Sequence, residues 1–474
     1  MTNTNQSQSG RRWLIIILFI AISLRVAAAL SLGDHVGPLP GTYDQVSYDR
    51  LAQRVLGGYG FTFDKLWWPY TRPGEPTAHW SYLYTLYLAG VYSLVGYHPL
   101  VARLIQAILV GALMPWLVYR LGCRHFGRQV GLVASGIMAC YAYFIYYAAT
   151  LMTENFYIIG ILWVLDIAGQ LGQAGESPPA ARQQSLLLGL ALGVTVLLRQ
   201  VFLLFIPVLF IWLLWRSYRY QTGPGSAVLI AKKDAAFGGT PSKSQGLATY
   251  LRNKPVVRMM GILLTATVIL LVAIAPWTVR NYLAFNRFVL LNTNAGFAFF
   301  WSNHPIHGQN YPADLPDWDS YIRLIPPELL SLDEAELDQT LLKRGLGFVR
   351  DDPRRYLMLS ISRVDDYFRF WPSSESGLIS NVSRVLSFGL LWPLMVYGLI
   401  SQGRRSFSSE ILILYLFIII YTAIHLLSWA LIRYRLPIDA VLIIFAGATL
   451  VEIQMKLAQR QAKIQKIQIP KAEI

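Results

Sequence analysis

The chain has 474 residues, 54% of them hydrophobic and 14% charged, with a mean hydropathy of +0.42. Apolar runs long enough to cross a bilayer exclude a soluble globular enzyme and describe a polytopic membrane protein. A net charge of +15 would suit a nucleic-acid binder, but the sequence carries no RNA- or DNA-binding motif. Basic residues of membrane proteins collect in cytoplasmic loops whatever the function, so the charge is topology information.

Arg11-Arg12, followed by an apolar run ending in Ala27-Ala28-Ala29, imitates a secretory signal. Arg25 inside that run is awkward for a signal core and natural for a first span whose outer end meets a polar site, so residues 13–32 are expected as an uncleaved helix. The next cytoplasmic marker is the cluster Arg120, Arg124, His125 and Arg128. Two apolar segments, 81–96 and 99–121, precede it, and if both crossed the membrane the cluster would fall outside. Residues 81–96, short and rich in tyrosine, are therefore expected as an interfacial or re-entrant helix, 99–121 as a span, and 33–98 as the first external loop. Within that loop Tyr48, Leu51, Ala52, Val55 and Leu56 recur at helical spacing, while Asp49, Arg50, Gln53 and Arg54 fill the other face. This predicts a short amphipathic interfacial helix stopped by Gly57-Gly58.

Further spans are expected near 130–150, 155–171, 185–198, 201–215, 259–278, 378–400, 410–430 and 437–453. The fold class is then all-α and polytopic, with about ten spans in a plausible range of roughly nine to twelve, and both termini inside. Residues 1–215 form an N-terminal membrane module, with Thr153-Glu154 on the external side and a polar linker over 173–184 inside. Residues 216–258, where Lys232, Lys233, Lys243, Arg252, Lys254 and Arg258 meet the single acid Asp234, read as a disordered basic cytoplasmic loop. After the 259–278 helix comes a mixed external region, 279–377, in which Asp352-Pro353 opens a helix through Tyr356, Leu359, Ile361 and Val364. Residues 378–474 supply the last helices and a basic tail. Arg280, Arg433 and Arg435 fall outside against the charge trend, each beside a span end, which makes them functional candidates.

Four blocks in this order, DQVSYDRLAQRVLGGYGF from Asp44, MTENF from Met152, PWTVRNYLAFNRFVLLNTNAGF from Pro276 and RYRLP from Arg433, resemble a bacterial member of the GT-C superfamily of polytopic glycosyltransferases. That group includes the protein O-mannosyltransferases and the lipid A aminoarabinose transferase. The resemblance implies a GT-C-like fold in the bacterial inner membrane and transfer of a sugar from a polyprenyl-phosphate carrier on the non-cytoplasmic face. It also implies an aspartate of the first external loop as catalytic carboxylate, here Asp44. A general base that takes the acceptor proton and arginines that match phosphate oxygens are the chemistry such a transfer needs. Many relatives carry an acidic pair where this chain has Asp44-Gln45, and prolines where it has His79-Trp80-Ser81-Tyr82. The second acid is left between Asp49 and Glu154.

The candidate donor-phosphate ligands are Arg433, Arg435, Arg280, Arg199 and Arg25, and the candidate substrate contacts are Tyr48, Lys65, Arg72, His79 and Asn303. Each has a plainer use: Asp44 as a helix cap, Asp49 as a solvated residue, Glu154 at a helix N-terminus, the arginines as interfacial anchors. His304 and His307 with Asp314, Asp317 and Asp319 lack any tight ligand spacing; no metal or other cofactor is assigned, and a divalent ion stays open. The expected partners are the lipid-linked sugar, a lipid, glycan or protein acceptor, and membrane lipids, with no nucleic acid. A transporter or flippase of lipid-linked saccharides is the rival reading, though neither repeats nor broken midplane helices stand out. A non-catalytic partner in an envelope assembly is a third.

Overall fold

The computed structural model describes residues 2–171, 178–222, 255–311, 315, 317–374, 376–406 and 410–468. Most of the basic segment expected over 216–258 lies outside them, as do Asp314, part of the 173–184 linker and the end of the tail. The described chain is helical, with only isolated bridges such as Trp67 to Thr71 outside helices. It divides into two compact units, Met1–Leu162 with Asn292–Ile474, and Trp163–Leu291.

In the first unit the helices in chain order are α1 (Thr2–Leu32), α2 (Asp44–Leu56), α3 (Tyr82–Val95), α4 (Pro99–Phe126), α5 (Arg128–Cys140), α6 (Ala142–Ala149) and the start of α7 (Glu154–Gln170). α2 ends where Gly57 and Gly58 stop it, Gly58 at φ 80°. α3 begins at Ser81, whose hydroxyl accepts the Tyr84 amide, and its 14 residues are too few to cross a bilayer as a helix. A Cβ on Gly122 would lie 2.7 Å from the Gly131 Cα. α4 and α5 therefore meet backbone to backbone, the approach that small residues permit between membrane helices.

The single span expected over 130–150 is broken. Tyr141 is extended and α5 and α6 bend by 53° across it. The fully buried Arg25 donates to the carbonyls of Ala139 at 3.0 Å, Met138 at 3.0 Å and Ala21 at 3.1 Å, which satisfies acceptors that a helix end leaves open.

The second unit carries α8 (Pro178–Leu198), α9 (Ile206–Thr222) and α10 (Pro255–Phe285). α8 packs on α10 through Gly189, where a Cβ would meet Ile269 at 2.7 Å. α10 runs to Phe285 instead of ending near 278, so Arg280 lies within the helix and not beyond it.

Back in the first unit, the region expected as mixed is helical where described: α11 (Ala295–Ser302), α12 (Trp318–Arg323), α13 (Glu334–Asp351) and α14 (Pro353–Tyr367). α14 starts as its sequence predicts, with Asp352 accepting the Arg355 amide at 2.9 Å and Pro353 in the first turn. Phe297, Phe300, Trp301, Leu337 and Leu341 make its core, and Trp68 and Tyr70 of the first loop pack against it. Each such residue taken fully from water contributes roughly 1.5–3 kcal/mol. Buried Glu334 adds a polar tie between loop and region, accepting Thr71 Oγ1 at 2.6 Å and the Ala78 amide at 2.8 Å.

The unit closes with α15 (Leu378–Arg384), a π-helical turn over Val385–Gly389, α16 (Leu390–Ser406), α17 (Leu412–Leu427) and α18 (Ile432–Gln468). Among the described residues six helices are long and apolar enough to cross a membrane, or seven if the bent α5–α6 pair counts as one span. The expected ten is not reached by length and composition. The expected spans near 185–198 and 410–430 appear as shorter apolar helices, and so does the segment near 81–96, expected as a short interfacial or re-entrant helix and not as a span.

Candidate active site

The loop before α2 is held by polar side chains that reach it from elsewhere. Fully buried Arg103, on α4, donates to the carbonyls of Gly33 and His35, and fully buried Gln45 donates to the carbonyl of Gly37. The chain then turns through Gly41 at φ 68°, a left-handed conformation natural to glycine. Asp44 therefore enters α2 at its first residue with a fixed direction.

Its carboxylate does not cap the helix. Arg433 Nη1 donates to Asp44 Oδ2 at 2.8 Å, and the same nitrogen lies 3.9 Å from Glu154 Oε1. Arg433 is the second residue of α18 and Glu154 the first of α7, where a carboxylate suits the helix dipole. Gln106 fixes the approach to Glu154, donating to the carbonyls of Thr150 at 2.7 Å and Ala148 at 3.0 Å. The three side chains grade from closed to open: Glu154 is 2% exposed, Arg433 14% and Asp44 25%. Among the described residues Arg433 Nε is buried with no hydrogen-bond partner, so the guanidinium keeps a donor uncommitted between the two acids.

The other candidates are engaged elsewhere. Asp49 is buried and accepts Tyr92 Oη at 2.6 Å, Gln53 Nε2 at 2.8 Å and Tyr97 Oη at 3.0 Å. Burial pushes its carboxyl up against the pull of those three hydrogen bonds. The Tyr97 hydroxyl is in turn raised to about 12 by burial and by the Asp49 charge. Arg435, fully buried, pairs with Asp439 at 2.9 Å, donates to the Tyr367 carbonyl at 2.9 Å and lies 3.4 Å over the Phe388 ring. Arg25 is turned to backbone carbonyls, as described above. Arg199 and Arg280 belong to the second unit, Arg280 donating to Asn281 Oδ1 at 3.1 Å.

Of the substrate candidates, Tyr48 packs edge-on against Tyr84 and Trp80, and Lys65 sits 5.2 Å over the Trp67 ring. Arg72 donates to the carbonyls of Ser331 and Leu332. His79 Nδ1 donates to the Thr293 carbonyl at 3.1 Å, and Asn303 accepts from Arg363 at 2.8 Å. His304 is pushed down to about 4 by burial and by neighbouring His307 and Arg355, so it is neutral at pH 7. Among the described residues no cluster of three or more histidine, cysteine or acidic side chains surrounds a point where a metal could sit. Sequence reasoning passed over Arg103 and Gln106, the residues that shape the loop and the approach to Glu154. Their signal was present: two polar residues three apart in one apolar span share a helix face and demand partners.

Residues 81–227 match the sequence model of the family described as dolichyl-phosphate-mannose-protein mannosyltransferase. No curated protein matches the chain. Among solved structures, the oligosaccharyltransferase AglB from Archaeoglobus fulgidus, in complex with an inhibitory peptide and a dolichol-phosphate, is similar over 99% of this chain and 53% of that one, with 14% identity and a TM-score of 0.53. The oligosaccharyltransferase of the same organism tethered with an acceptor peptide containing the NVT sequon matches over 96% of this chain and 50% of that one, at 14% identity and a TM-score of 0.52. ArnT from Cupriavidus metallidurans bound to undecaprenyl phosphate aligns with 92% of this chain and 77% of that one at 12% identity and a TM-score of only 0.34. The chain spans about half the length of the archaeal proteins, and likeness at this identity speaks for the fold alone. Matched through residues 81–227 to that family's sequence model, the chain is an all-helical polytopic membrane protein whose fold is similar to that of the archaeal oligosaccharyltransferase.

Proposed function

We propose that the chain transfers a sugar from a polyprenyl-phosphate carrier to a hydroxyl of a lipid, glycan or protein on the non-cytoplasmic face of the bacterial inner membrane. The observation that carries this reading is Arg433 set between Asp44 and Glu154 with its Nε uncommitted. Asp44, the most open of the three, is the general base and takes the acceptor proton as the acceptor oxygen attacks the anomeric carbon. The bond from that carbon to the phosphate oxygen breaks with its electron pair left on the phosphate. Arg433 stabilises that charge through its planar fork. Glu154, enclosed behind the guanidinium, orients it. The family match and the fold shared with an archaeal oligosaccharyltransferase in complex with dolichol-phosphate support the donor class.

The test is Asp44→Asn in purified, folded protein supplied with a polyprenyl-phosphate-linked sugar. Losing a general base should lower turnover by about 10²- to 10⁴-fold with the melting temperature held. Undiminished transfer by the folded variant would remove Asp44 from the chemistry.

A further inference from the structure

α14 contributes no side chain to the cluster of Asp44, Arg433 and Glu154, and its surface is not that of a helix in water. One face carries Leu359, Arg363 and Tyr367, all fully buried. The opposite arc carries Leu357, Ile361 and Val364, at i, i+4 and i+7, which are 58%, 55% and 41% exposed, with Met358 beside them. A solvated helix places charge on its outer face; here the strip of Leu357, Ile361 and Val364 carries none, and Arg354 and Asp365 run along one side of it, between Ile361 and Met358.

Two bonds set the depth of this helix. Arg363 Nη1 donates to the Leu426 carbonyl at 3.0 Å, and Tyr356 Oη to the Leu427 carbonyl at 2.9 Å. These are the last carbonyls of α17, an apolar helix of 16 residues, and a helix end leaves such groups without partners. α14 therefore caps α17 and lies at the height where that helix ends. A few residues later the chain enters the span Leu378–Gly403, whose first exposed side chains, Leu378, Ile379 and Val382, are also apolar.

We propose that the Leu357–Ile361–Val364 arc of α14 is a lipid-binding surface seated in the bilayer interface, continuous with the lipid-facing side of the span that begins at Leu378. The occupant is the upper acyl region of the bilayer. The edge charges Arg354 and Asp365 sit at headgroup height, as on other interfacial helices. Because Tyr367 at the end of α14 bonds Arg435 through its carbonyl, at 2.9 Å, and the Tyr434 carbonyl through its hydroxyl, at 3.3 Å, the seated helix also braces the backbone beside Arg433.

The test uses the full chain in phosphatidylcholine nanodiscs, with Cys123 and Cys140 replaced by serine and one fluorophore attached through Ile361→Cys. Parallel labels go on Ile379→Cys, at the span, and on exposed Lys343→Cys of α13. Quenching by lipids brominated near the top of the acyl chain should be several-fold stronger at 361 than at 343 and comparable with 379, while aqueous iodide should show the reverse order. Iodide quenching at 361 equal to that at 343 would overturn the proposal. Protection from both quenchers would also overturn it, since a protein would then cover the arc. Leu357→Cys repeats the measurement where the label at 361 disturbs folding.

Discussion

Arg433 and Arg435 stand two residues apart in one block, and the structure gives them opposite surroundings. Two positions along a helix differ by about 200°, so one side chain turns to the Asp44 cleft and the other into the bundle. Arg435 is committed to Asp439, to the Tyr367 carbonyl and to the Phe388 ring. Its replacement by methionine strands the fully buried Asp439 and should cost about 3–5 kcal/mol, seen as a lower melting temperature. Arg433→Lys keeps the charge and loses the fork, so it should leave the fold intact and raise the donor concentration needed for half-maximal rate by about tenfold or more. Loss of donor binding by a stably folded Arg435→Met variant would reverse these roles. The sequence showed that both arginines break the charge trend, but not which faces acid. Asp49 has the same history. The helical pattern put it on the polar side of α2, whereas it is buried, because Tyr92 and Tyr97, more than forty positions away and invisible to any local pattern, close over its carboxylate.

At the scale of elements, local signals read well where a helix makes its own ends and poorly where another segment makes them. Asp352-Pro353 and Gly57-Gly58 are self-contained punctuation, and both boundaries were legible. The α5–α6 break was not, because residues 130–150 contain no proline and the open carbonyls are satisfied by Arg25, 114 positions from Ala139. A junction of the same kind carries a pH dependence. Asp338 of α13 accepts the amides of Gly296 at 2.8 Å and Phe297 at 3.1 Å, at the start of α11. Burial nevertheless raises its carboxyl to about 7, against about 3.9 in an unfolded chain. Between those values the folded state holds the proton more tightly than the unfolded one. The stabilisation is therefore complete below about pH 4 and declines by up to about 1.4 kcal/mol per unit until pH 7. Asp338→Asn keeps an acceptor oxygen and cannot ionise, so its thermal stability should change less over that window and exceed the parent's at pH 8. An unchanged slope in the variant would assign the pH dependence to other groups.

For the molecule as a whole, α18 provides a measure that does not depend on how many helices cross the membrane. It is one continuous helix of 37 residues, about 55 Å at roughly 1.5 Å per residue, with Arg433 at its first turn and Lys456 some 35 Å further on by the same rise. The site and the basic tail thus occupy opposite ends of one helix, whether the total is seven spans or ten. The N-terminal charges of the first unit agree. Gly10 lies so close to the Arg128 guanidinium that an added Cβ would collide with it, which places Arg11-Arg12 beside the α4–α5 turn and its own basic cluster. If the trend of basic residues toward the cytoplasm holds here, Asp44, Glu154 and Arg433 face the far side, where the proposed lipid-linked donor and not a nucleotide sugar would be the available substrate. Single cysteines test this directly in a background lacking Cys123 and Cys140. Tyr43→Cys, at a side chain 72% exposed beside Asp44, should react with a membrane-impermeant maleimide in intact cells. Lys456→Cys, at a side chain 58% exposed, should react only after permeabilisation. The opposite pattern would turn the cleft toward the cytoplasm and remove the reason for a polyprenyl carrier, even if Asp44 remained essential.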